Sequence, residues 1–114
     1  MNKAVVNILK QFFPVSSIYH NLAPITNEYP LIVYSTLIDV PALRADNKLY
    51  GSRIVYRITI IDKQEYDVNN LKDAFEDAGW LWENTNIIID KNVNNIDEVY
   101  TSIDVSYLFK KARN

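Results

Sequence analysis

The strongest constraint on this chain lies near its C-terminal end, where Val99, Thr101, Ile103, Val105, Tyr107 and Phe109 alternate with Tyr100, Ser102, Asp104, Ser106 and Lys110. A period of two sends successive side chains to opposite faces of a β-strand, so one set is committed to a core and the other faces away. Arg53 to Asp62 repeats the pattern, with Ile54, Tyr56, Ile58 and Ile60 on one face and Arg53, Val55, Arg57 and Thr59 on the other. Leu31 to Val40 lies between prolines and is dense in β-branched and aromatic residues, which favours a strand. Thr85 to Asp90 holds Ile87, Ile88 and Ile89, too short and too branched for a helix, and the asparagine-rich Asp90 to Asn95 reads as a turn.

Two segments have helical spacing instead. Asn2 to Phe13 carries Ala4, Val5, Ile8, Leu9 and Phe12 on one stripe, and Pro14 stops it. Asn69 or Asn70 can cap a helix whose Leu71, Ala74, Phe75, Ala78 and Trp82 line one side, while Lys72, Asp73, Glu76 and Asp77 face water. Val15 to Pro30 reads as a connection with one short strand near Ile18 to His20. Pro41 to Ser52 reads as a connection of about twelve residues, a length usually tied to function. At 114 residues the chain has the length of one domain, 1–114. The order of elements predicts an α+β two-layer sandwich, an antiparallel four-stranded sheet with two helices packed on one face. The other face would present Val55, Arg57, Thr59 and Ile61 beside Tyr100, Ser102, Asp104 and Ser106, a mixed surface suited to water or to a partner.

The same residues argue against several functions. A net charge of -2 leaves no excess of cations to displace counterions from nucleic acid. With no cysteine there is no disulfide, thiolate metal site or thiol nucleophile, and no apolar run approaches the ~20 residues that span a bilayer. Lys3 and Lys10 interrupt the apolar start, unlike a signal peptide, so the reading is of a soluble intracellular protein. His20 is the one histidine, and it sits in a segment of little regular pattern, so a Ser-His-Asp triad could be assembled only by assumption; it reads as a partly exposed strand or loop residue, and one histidine without cysteine makes no metal site. Asp73, Glu76 and Asp77 read as a solvated helix face. Gly51 and Gly79 fall in no phosphate-binding loop, and Gly79 suits a helix end. Burial is the readier reading for Trp82, with a ligand platform of Trp80 and Trp82 as the other. Tyr34, Tyr50, Tyr56, Tyr66, Tyr100 and Tyr107 are too many for the core alone and suit strand surfaces or an interface. The expectation is no catalytic centre, no cofactor and no metal.

The stretch Tyr29 to Asp62 (YPLIVYSTLIDVPALRADNKLYGSRIVYRITIID) resembles the tail-completion, or tail-terminator, proteins of long-tailed bacteriophages. The resemblance is carried by Pro30, Tyr34, Ala45, Asp46, Asn47, Tyr50, Tyr56 and Ile58, then by the helix Leu71 to Ala78 and the closing strand ending Tyr107 to Phe109. It implies a virion structural protein, assembled in the host cytoplasm. Such a protein forms a ring, commonly hexameric, at the head-proximal end of the tail tube, stops tube polymerisation and joins the tail to the head connector. Its partners would be copies of itself, the tail tube protein and a connector or neck protein, with no membrane and no sequence-specific nucleic acid. Loop position and chemistry then single out Leu43, Arg44, Asp46, Asn47, Lys48, Tyr50 and Arg53 as contact residues. Other readings are a head-completion or neck protein, and a small ligand-binding α+β domain using Trp80, Trp82 and His20.

Overall fold

A computed structural model of the chain describes residues 2–24, 28–45 and 48–110; of these, 38–45, 48–52, 109 and 110 are described as backbone alone. Helix α1 (Asn2–Leu9) and a 3-10 turn (Val15–Ser17) precede β1 (Ile18–His20), β2 (Leu31–Ala45) and β3 (Lys48–Asp62). Helix α2 (Asn69–Asp77), β4 (Leu81–Lys91) and β5 (Asp97–Lys110) follow. The strands form one five-stranded sheet in the order β1-β2-β3-β5-β4. The α+β class and the two layers are as expected, but the sheet is mixed and not a four-stranded antiparallel one. Ile18–His20 lies parallel to Ile32–Tyr34, since the chain returns through 21–30 and enters β2 in the same direction. All other pairs are antiparallel.

The largest departure from expectation is in Pro41 to Ser52, where Pro41 to Ala45 and Lys48 to Ser52 are strand and not loop. β2 runs to Ala45 and β3 starts at Lys48, with Arg44 opposite Leu49 and Ala45 opposite Lys48. Pro41 has no N–H for a ladder, and the pairing absorbs it through register shifts between Pro41, Leu43 and Arg44. Asp46 and Asn47 lie outside the described residues. Each of the two strands has 15 residues, roughly 50 Å of strand at about 3.3 Å per residue. That accounts for most of the molecule's 55 Å long axis.

Both helices cover the same sheet face. Val5, Ile8 and Leu9 of α1, Leu71 and Phe75 of α2, and Phe13 pack with Ile32, Tyr34, Tyr56, Ile58, Ile60, Ile103 and Val105 in one core. Burying each large apolar side chain contributes on the order of 1.5–3 kcal/mol. Helix α1 ends at Leu9, earlier than its apolar stripe suggests; Gln11 and Phe12 donate to carbonyls three residues back, tightening the chain before Pro14. Asparagine does not cap α2. Val68 holds the N-cap position, and Asp67 Oδ1 accepts from the Asn69 N–H at 3.0 Å. At the other end Gly79, with φ of +91°, lets its own N–H reach the Glu76 carbonyl and the Trp80 N–H reach the Phe75 carbonyl, both at 2.9 Å.

That turn decides the fate of the two tryptophans, and the burial expected of Trp82 is not found. Trp80 is the core residue, edge-on to Phe75 and Tyr56 at 5.8 Å and near Tyr107 at 5.2 Å. Trp82 has left the helix for β4, where it is exposed and carries Lys72 Nζ 4.0 Å from its ring centre.

Candidate functional site

The sheet face opposite the helices is the candidate functional surface. Residues opposite one another in antiparallel ladders share a face. From β2 through β3 and β5 to β4, the rows read Leu31–Ile61–Tyr100–Ile88, Val33–Thr59–Ser102–Asn86 and Ser35–Arg57–Asp104–Asn84. The middle of the surface is a polar band with an apolar row at one end.

The polar band is internally paired. Arg57 donates from Nε and an Nη to the two carboxylate oxygens of Asp104, at 2.9 and 3.1 Å. Asp104 is buried and Arg57 half exposed, so this planar pair is desolvated on one side only. The hydrogen bonds to Asp104 raise the guanidinium pKa above its ordinary value, against an opposing effect of burial. Thr59 and Ser102 hydroxyls meet at 3.0 Å. A register shift between Trp82 and Asn84 inserts Glu83, which takes an ion pair from Arg53 at 3.0 Å and a hydrogen bond from Ser106 Oγ at 3.4 Å.

At the apolar end lies an open cleft of about 250 Å³ between Ala23, Pro24, Leu31, Ile61, Val93 and Tyr100. Its buried acid is Glu98, whose two oxygens accept from the Tyr29 and Tyr100 hydroxyls at 2.7 and 3.0 Å. Both phenols are raised above their ordinary pKa. For Tyr29 the hydrogen bond to Glu98 is the main cause; for Tyr100 burial comes first and Glu98 second.

The structure treats the expected contact residues unequally. Arg53 is on the surface in question, paired with Glu83. Leu43, Arg44, Lys48 and Tyr50 are in the paired strands of the hairpin, described as backbone, while Asp46 and Asn47 lie outside the described residues. Arg57, Thr59, Ser102 and Asp104, foreseen on the second face, are brought together there. His20 is exposed and stacked on Tyr34 at 4.7 Å on the β1 edge. Among the described residues no group of three or more acids, histidines or cysteines could hold a metal ion, and no helix is long and apolar enough to cross a membrane.

Sequence reasoning placed a strand at Thr85 to Asp90, inside β4, but missed its start at Leu81 and its exposure. All of its residues are exposed, including Leu81, Trp82, Ile87, Ile88 and Ile89. The run of three isoleucines was the available signal, for a period of two cannot place consecutive side chains on one face. No protein-family model matches the chain, and comparison with curated proteins gives no match.

Proposed function

We propose that this protein is a structural subunit of a long-tailed bacteriophage virion, one that closes the head-proximal end of the tail tube as a ring and joins the tail to the head connector. The observation that supports this best is a sheet about as long as the molecule, covered by helices on one face and carrying a polar band without helices on the other. A ring subunit has to offer separate surfaces to its neighbours, to the tube and to the connector. The helix-free face, the open strand edges and the paired ends of β2 and β3 are three such surfaces. The tail-terminator resemblance of Tyr29 to Asp62 assigns the hairpin, with Leu43, Arg44, Asp46, Asn47, Lys48, Tyr50 and Arg53, to contacts with the tube or the connector. The protein would act in the virion, at the head–tail junction, after assembly in the host cytoplasm.

The test is to add the purified protein to polymerising tail tube protein. Tubes that stop growing, with the added protein at one end only, support the reading. Unchanged tube lengths with no bound protein sink it.

A further inference from the structure

We propose that β4 of one copy joins the open edge of β2 in a second copy, continuing the sheet from subunit to subunit; this deepens the ring reading above and rests on it for closure. The motivation is that both sheet edges are unfinished. Among the described residues, nothing pairs the outer side of β4, an 11-residue strand exposed along its whole length. Its charges, Glu83, Asp90 and Lys91, lie towards its ends, and Asn84 to Ile89 carry none. Ile87, Ile88 and Ile89 are 43, 54 and 70% exposed. Soluble proteins normally protect such an edge with charge, proline or a covering element, because it templates pairing with another chain.

The opposite edge matches. β1 covers only Ile32–Tyr34, so among the described residues β2 is open from Ser35 to Ala45, as long a stretch as β4 itself. Leu37 and Leu22 beside it are exposed at 41 and 82%. Direction matches as well. Strand directions alternate from β2 to β4, so two copies placed side by side in one orientation set β4 antiparallel to the neighbour's β2. β1 then acts as a stop, since an incoming strand cannot slide past Tyr34. Full overlap puts the Lys91 end of β4 at Ser35 and brings Ile87 to Ile89 to Leu37.

The stop also fixes a stagger. Asn86, in the middle of β4, is level through the ladders with Val33, whereas the middle of the open β2 edge is Val40. Each copy is therefore displaced by about seven residues, ~23 Å, across four strands of ~19 Å width. The resulting slope of roughly 50° is close to the ~35–45° tilt of closed barrels. A head-to-tail contact of this kind closes when its rotation permits and otherwise grows as a filament.

Since the chain has no cysteine, the contact can be trapped with a Leu37→Cys/Ile89→Cys double variant. Oxidation should give a ladder of covalent multimers that neither single variant gives. Ile89→Lys in the native background should weaken association at least tenfold with an unchanged circular dichroism spectrum. Dimers from Ile89→Cys alone as abundant as the double variant's would mean β4 against β4 and would overturn the proposal. So would multimers indifferent to Ile89→Lys, or a monomer that never cross-links. Discrete oligomers without the ladder would sink the strand pairing and leave the ring; a ladder that never closes would uphold the pairing and sink the terminator reading.

Discussion

β4 and β5 are neighbours, paired along most of their length and joined by a short turn, yet they have opposite environments. In β5, Thr101, Ile103 and Val105 are at most 1% exposed, and even Asp104 and Ser106 on the other face are nearly closed off. In β4 three consecutive isoleucines and a tryptophan remain open to solvent. Apolar content does not explain the difference; position in the sheet does. β5 has a strand on each side and joins β3 and the two helices in the core, whereas β4 has, among the described residues, a neighbour on one side only. One strand supplies the stability of the subunit, and the other supplies surface.

The contrast can be sharpened by substitution. Phe75→Ala, beneath Trp80 in the helix-covered layer, should cost about 3–5 kcal/mol in a denaturant titration; a loss below ~1 kcal/mol would mean the core lies elsewhere. Gly79→Ala places a side chain at a φ of +91° and should cost about 1–2 kcal/mol, because left-handed backbone crowds a Cβ. Asp104→Asn, on the face without helices, should cost only ~1 kcal/mol, since Arg57 keeps access to water. Stability of that variant should also depend less on salt than the native protein's. An Asp104 loss as large as the Phe75 loss would show that the helix-free face is a second core.

The smallest effect concerns the cleft. The folded Tyr29 pKa is raised above 10.0, chiefly because its hydroxyl donates to Glu98. The neutral phenol is therefore the form the fold favours. Its contribution is complete below the ordinary tyrosine pKa and is lost as pH rises through the raised folded value. Tyr29→Phe should make the alkaline limb of the stability profile shallower and leave its acid limb in place. An unchanged alkaline limb would mean that the Glu98 contact carries no linkage.

Much of the covered layer was legible because period-two and helical stripes report burial on one face. Tyr56, Ile58, Ile60, Ile103, Val105, Leu71 and Phe75 are all in the core for that reason. The pairing of Arg57 with Asp104 was half legible: both residues could be placed on the second face, but their register depends on how β3 meets β5. The hairpin was misread because Pro41 and Gly51 are turn-forming in isolation, while fifteen-residue strands with bulges tolerate such residues. Trp82 was misplaced because helical periodicity runs on past Gly79, and only the positive φ there shows where the helix stops. The open edge of β4 was illegible, since neighbours in a sheet are set by topology and not by local pattern.

The division between a covered core and a surface built for assembly is tested most directly by the molar mass of the purified native protein. It should be measured by light scattering on a sizing column over a wide concentration range. The expected result is one discrete closed species, of about six copies if the ring is hexameric, that gives way to monomer on dilution. A strict monomer at every concentration would contradict it.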